Sequence, residues 1–196
     1  MTALLHATIP LPPPQTEGGL PLMDAIRTRQ SCREFAERAV SQQLLSNLLW
    51  AAIGLSHPER GGLTVPNARS RREVDLFVIT AEGTWRYDID SHALKSVVTG
   101  DIRALAGKQD FVATAPLNLI YVADYTRMPD LNTEQQLVYS STDVGFSAQN
   151  VYLFCASSGL ATVVRGSIDR EALGQALGLT PQQRIILGQS VGYPAP

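Results

Sequence analysis

Leu44, Leu45, Leu48, Leu49, Ala52 and Ile53 recur on one face of a helix, with Ser41 placed as its N-cap and Gly54 closing the run. A shorter pattern over residues 22–29 predicts a helix that ends within a series of arginines. The longest helical pattern covers 132–158 and is closed by Gly159. Its second half, 144–157, is apolar or small nearly all round, which predicts a helix buried on most faces. There, Gly145, Ala148 and Ala156 permit close approach of another helix, such as that of a second copy. Further helices are expected over 91–98, 101–107 and 169–177. The β-prone run at 74–80, ended by Glu82-Gly83, predicts a buried strand, and 85–87 reads as its short return in a hairpin. Strands are also expected at 117–123, 161–164 and 185–191. A loop of Pro, Gly, Asn and Arg between His57 and Arg72 is long enough to be functional.

At 196 residues the chain suits one domain with a proper core. Residues 1–20 form an arm stiffened by Pro10 and Pro12 to Pro14, followed by a domain over 21–196. A hydrophobic share of 44% against 17% charged residues describes a globular protein. The formal charge of -2 offers no general attraction for polyanions, so nucleic acid is not an expected partner. Cys32 and Cys155 match no zinc or redox spacing and read as small apolar packers. His6, His57 and His92 have no metal-like spacing. The start of the chain lacks a secretory pattern, and no stretch reaches the ~20 apolar residues of a membrane span. A cytoplasmic protein without a membrane partner is the expectation.

The chemistry concentrates in Arg27-Thr28-Arg29-Gln30-Ser31-Cys32-Arg33. Arginine at every second position does not build a core; it places cations on one side of an extended segment, suited to an elongated anion. Neither the dinucleotide fingerprint nor the P-loop is present, so the arginines must act through their side chains, as forks for phosphate oxygens. A helix end can also carry arginine simply to complement its dipole.

This motif is followed in order by Pro66-Asn67-Ala68, by Asp143-x-Gly145-x-x-x-Gln149-Asn150-x-x-Leu153 leading to Gly159-Leu160, and by Gly192-Tyr193-Pro194. That series, spanning about 22–194, resembles the flavin-dependent nitroreductase superfamily. Thr64-Val65-Pro66-Asn67-Ala68, with Trp85-Arg86-Tyr87-Asp88 and then His92 and Leu94, is most similar to its azoline-oxidising branch.

The resemblance implies an α+β fold: a central, mostly antiparallel sheet flanked by helices, a long buried central helix, and FMN at a homodimer interface. Arg29 would meet the FMN phosphate, Ser31 the phosphate or ribityl chain, and Arg33 the pyrimidine edge, with Gln30 beside them and Arg27 as a further candidate. Pro66, Asn67 and Ala68 would reach the flavin from the partner subunit. Gln109 would offer a polar side chain, and Arg165-Gly166 a backbone amide near flavin N5. Asn67 stands where the family more usually has serine, and Arg69-Ser70-Arg71-Arg72 replaces an amide-rich stretch. That basic run is expected to be a solvated loop, or else to recruit an anionic substrate or a pyridine-nucleotide phosphate. Many relatives add a cation after the last strand; here the chain ends at Pro196, so weaker flavin retention is expected. The implied activity is ping-pong hydride transfer from NAD(P)H through FMN to a nitroaromatic or quinone, with no catalytic side chain and no metal. The alternatives are oxidation of an azoline or other small substrate, and a non-catalytic flavin-binding or dimerisation scaffold.

Overall fold

The structure is a computed structural model that describes residues 7–196; His6 lies outside them. In chain order its elements are β1 (Thr8–Pro10), α1 (Leu22–Thr28), α2 (Gln42–Ile53), β2 (Leu55–His57), β3 (Gly62–Leu63), β4 (Val74–Ile79), β5 (Gly83–Asp88) and β6 (Ala93–Thr99). Then follow β7 (Leu117–Asp124), α3 (Thr133–Ser158), β8 (Ala161–Arg165), α4 (Arg170–Leu177) and β9 (Gln183–Gly192). Seven strands make one antiparallel sheet in the order β1-β6-β5-β4-β7-β9-β8, and β2 and β3 form a small hairpin.

β4 and β7 sit at the centre and are apolar at almost every position because both faces are covered. Leu76, Val78, Leu119 and Tyr121 point to the layer of α2 and α3, whereas Phe77, Ile79, Ile120 and Val122 meet Leu173 and Leu177 of α4. Ser41 caps α2 as expected, its side chain accepting from Leu44 N–H, and Gly54 ends it. Asn132 opens α3 with a capping box shared with Gln135, and Gly159 closes it at φ 68°. Cys155 is a core residue whose thiol is pushed well up by burial.

Three expectations change, the last only in part. Residues 91–98 are not helical: they form β6, paired along its length with β5 and joined on its other side by β1. Cross-strand packing of Trp85, Tyr87 and Leu94 overrides the local helical propensity. The arm is therefore partly sheet, with Thr8–Pro10 as the outermost strand. Finally, the second half of α3, 144–157, is buried or half-buried as expected except along one exposed stripe, which the first half continues. Val138, Gly145, Phe146 and Gln149 lie exposed along one stripe. Among the described residues no helix is long and apolar enough to cross a membrane.

Candidate functional site

α1 ends when Arg29 N–H donates to Ala25 O at 3.0 Å. Beyond it the backbone runs extended beside β8, the edge of the sheet, and Cys32 N–H donates to Thr162 O at 2.9 Å. From α3, Tyr152 binds both segments: its hydroxyl accepts from Val164 N–H at 2.9 Å and shares a 2.7 Å hydrogen bond with Ser31 Oγ. The Tyr152 ring also lies 5.1 Å from the Arg29 guanidinium, a cation–π contact. Further on, Ala36 N–H donates to Tyr193 O and Ala195 N–H to Glu34 O, so the last residues clamp the far end of the strip. Arg27 turns back to Asp24 at 2.9 Å on the exposed side of α1. Arg29 and Arg33 form no ion pair among the described residues, and Gln30, Ser31 and Arg33 are exposed.

β8 delivers Gly166 to the same edge. Arg165 is buried, with Nε donating to Ser190 Oγ at 3.2 Å, one terminal nitrogen to Asn118 Oδ1 at 2.7 Å and the other to Ala106 O. Among the described residues no carboxylate pairs with it, and burial draws its pKa down to about 10, which leaves it charged at neutral pH. Gly107 and Gly188 make the space: a Cβ there would come within 2.4 and 2.8 Å of the guanidinium. The Arg165 side chain is thus a strut that fixes the turn at 106–109 to the end of β8, helped by Lys108 N–H donating to Ser167 O at 3.0 Å. Gly166 is exposed, and a Cβ on it would meet only Leu187 at 3.9 Å, so nothing within the chain requires glycine there. On the tethered turn, Gln109 Oε1 is buried without a hydrogen-bond partner among the described residues. Such an orphan acceptor costs about 1–3 kcal/mol unless a ligand supplies a donor.

Arg29, Ser31, Gly166 and Gln109 therefore gather along one edge; Pro66, Asn67 and Ala68 do not join them. Asn150 Nδ2 fixes the approach to that loop by donating to Ala51 O and Thr64 O. Asn67 Nδ2 then donates to Glu73 Oε2 at 3.0 Å and Asp143 Oδ2 at 3.1 Å, and its Oδ1 accepts from Arg72 N–H at 2.7 Å. Both polar ends of Asn67 are engaged inside its own chain, and Ala68 N–H is held by Asp143 Oδ2 at 3.0 Å. Pro66 and the backbone are what the loop leaves to offer a neighbour. With a rise of 1.5 Å per helical residue, Asp143 and Tyr152 are about 13 Å apart along α3, too far for one chain to close this loop over Arg29. The basic run is a partly exposed loop whose charges are paired within the chain: Arg69 and Arg71 both bind Asp130, and Arg72 binds Asp90 and Gly61 O.

Sequence reasoning missed Tyr152 and Glu73, since a tyrosine in a core helix and a glutamate before a strand carry no local mark of their role. Among the described residues, no group of three or more His, Cys, Asp or Glu side chains could hold a metal ion. What the edge offers is unpaired guanidinium charge, a hydroxyl and an open glycine backbone, which fit an elongated, phosphate-bearing ligand.

A candidate nitroreductase of Methanocaldococcus jannaschii is 34% identical over 156 residues, 74% of this chain and 78% of that protein. The crystal structure of a candidate nitroreductase from Ralstonia eutropha JMP134 is 38% identical and superposes with a TM-score of 0.92 over 96% of this chain and 90% of the other. The NADPH:FMN oxidoreductase from Vibrio harveyi, solved in complex with NAD+, shares the fold at 20% identity, with a TM-score of 0.68 over 89% of this chain and 69% of that one. The family profile described as the nitroreductase family matches residues 26–193, nearly every residue of the fold, and the chain belongs to that family.

Proposed function

We propose that this protein is a homodimeric FMN-dependent oxidoreductase that takes a hydride from NAD(P)H and passes it to an electron-poor acceptor such as a nitroaromatic or quinone. The observation that carries the reading is the strip along β8: Arg29 and Arg33 without carboxylate partners, Ser31 anchored by Tyr152, and Gly166 open beside them. FMN, when bound, supplies the redox chemistry, so the chain needs no nucleophile or metal. Arg29 and Ser31 hold the phosphate end, and the permanent charge of Arg33 favours the electron-rich state of the ring. Gly166 lets the ring approach the backbone, and Gln109 Oε1 offers a buried acceptor on the same side. The Vibrio harveyi relative, which shares the fold, supports both the cofactor and the donor.

The second copy is argued from surfaces that one chain leaves uncovered. Leu22, Met23 and Ile26 on α1 are 63%, 73% and 48% exposed, and Val138 and Phe146 on α3 are 57% and 42% exposed. A two-fold contact through these helices would cover them and supply the Pro66–Ala68 loop that one chain cannot bring to its own strip.

Two of the residues that resemble the azoline branch have partners within the chain. Tyr87 OH meets His92 Nδ1 at 2.7 Å, and His92 Nε2 meets Ser46 Oγ and Pro12 O, so this pair anchors the arm. The test is the absorption spectrum of the purified protein, followed by anaerobic NADPH. Flavin bands that bleach and then recover on adding a quinone are expected. A colourless protein that rejects added FMN would overturn the cofactor, and a bound flavin that no donor bleaches would leave only a binding scaffold.

A further inference from the structure

We propose that Glu73 and Asp143 share one proton, and that this buried one-proton pair positions the 66–72 loop for its task at the flavin. The function of the loop rests on the dimer reading above; the pair itself does not.

Glu73 is fully buried and Asp143 is 6% exposed. Both carboxyl groups receive hydrogen bonds from the same nitrogen, Asn67 Nδ2, at 3.0 and 3.1 Å. One amide nitrogen serving both brings the two carboxyl groups side by side, where two like charges disfavour each other and one group keeps its proton. Burial, reinforced by the neighbouring Asp143 carboxylate, raises the Glu73 pKa above the ordinary range. Glu73 Oε1 has no partner among the described residues, which a neutral acid tolerates better than a carboxylate.

Among the described residues no cation forms an ion pair with either carboxyl group, although the surroundings are rich in arginine. On the loop, Arg69 and Arg71 are committed to Asp130, and Arg72 to Asp90. After β7, Arg127 holds Asp75 of β4 at 3.0 Å and also donates to Arg72 O. On the same turn the Tyr125 hydroxyl is buried without a partner. Each of these four arginines is matched by an acid other than Glu73 and Asp143.

The pair has strain to hold. Arg69, Ser70 and Arg72 have φ of 55°, 54° and 50°, in the left-handed region that side chains other than glycine adopt at a cost. Asp143 grips Ala68 N–H, just before this strained stretch, and Asn67 Oδ1 accepts from Arg72 N–H at its end. Loss of the shared proton places two negative charges side by side around Asn67 within the core, and the cheapest relief is to release Asn67 and let the backbone leave its left-handed turn.

The sign follows from linkage. The folded pKa of Glu73 lies above its unfolded value, so its contribution is complete below the unfolded pKa and is lost as pH rises through the folded one. One proton linked to opening changes the opening equilibrium by at most tenfold per pH unit. Amide hydrogen exchange of the whole protein, corrected for the intrinsic rate and followed over residues 66–73 from about pH 5 to about pH 9, reads this directly. Wild type should lose protection towards tenfold per pH unit over part of that range and then level off. Glu73→Gln, permanently neutral, should stay protected throughout. Asp143→Asn leaves Glu73 buried but removes the second charge, so its loss of protection should be smaller than that of wild type, which keeps the test open if one variant fails to fold. A flat wild-type profile, or an equal slope in a folded Glu73→Gln, overturns the pair. FMN titration over the same range separates the two proposals: affinity that falls with protection supports both. Protection lost while affinity holds upholds the pair and overturns the placement of the loop at the flavin.

Discussion

Tyr152 ties three parts of the binding strip with one side chain, and its hydroxyl can be removed without its ring. Tyr152→Phe keeps the face beneath Arg29 but deprives Val164 N–H of its acceptor and frees Ser31. An orphaned backbone donor costs about 1–3 kcal/mol, a fall in Tm of about 2–4 °C per kcal/mol for a chain of this size. FMN affinity should fall by about tenfold, the equivalent of 1.4 kcal/mol. Unchanged affinity in titrations would mean that Ser31 holds its place unaided. The arginines should separate by effect: Arg29→Ala weakens FMN binding, Arg33→Ala chiefly lowers the reduction potential of the bound flavin, and Arg27→Ala does neither. Alternation along the sequence was enough to single out this strip, but it treats the three arginines alike. The distinction comes from Asp24, one helical turn before Arg27, which pairs with it and leaves the other two free. Tyr152 was not legible because its partner Ser31 lies 121 residues away. The same holds for Asn67, whose role is set by Glu73 and Asp143 and not by any neighbour that a loop motif contains.

Helices were legible where caps and periodicity agreed, as in α2 and α3, and strands where the apolar run was continuous, as in β4 and β7. β6 was not legible, since its identity depends on β5 and on the arm that pairs with its other edge. His92 holds that arrangement together. Its Nε2 faces Pro12 O, which can only accept, so Nε2 carries the hydrogen and Nδ1 accepts from Tyr87 OH. Burial lowers the His92 pKa. In the unfolded chain the imidazole takes up a proton more readily than in the folded one, so this anchor stabilises above the unfolded pKa of about 6.5 and weakens as pH falls through it. The arm should loosen first. Limited proteolysis within residues 7–20 is expected to accelerate between about pH 7.5 and 5.5, more steeply than cleavage elsewhere. His92→Gln, which can both donate and accept but does not titrate, should flatten that dependence. Equal slopes in the two proteins would place the sensitivity in another group. This fall on acidification runs opposite to the loosening on alkalinisation expected of the 66–72 loop, so one pH series distinguishes the two.

At the scale of the molecule, Gly145 bears most directly on whether one chain is the working unit. It sits in the middle of α3, where glycine costs about 1 kcal/mol relative to alanine, and a Cβ built on it meets nothing within 4 Å. A glycine that weakens its helix while its own chain leaves it open space is what the close approach of a second α3 would call for. The flanking Val138 and Phe146, with Leu22, Met23 and Ile26 across on α1, mark the surface on which a second copy would sit. Opposite signs follow for the fold and for the assembly. Gly145→Leu should leave far-UV circular dichroism unchanged or slightly more helical, because Leu is a better helix former and the space is open. The same side chain should hold a second α3 away, shifting the protein from dimer to monomer in sedimentation and abolishing FMN retention, since the partner's Pro66–Ala68 loop leaves with it. A folded Gly145→Leu variant that remains dimeric and yellow would move the interface to another surface. A wild type that is monomeric while retaining FMN would show that one strip, Arg29 to Arg33 beside Gly166, suffices.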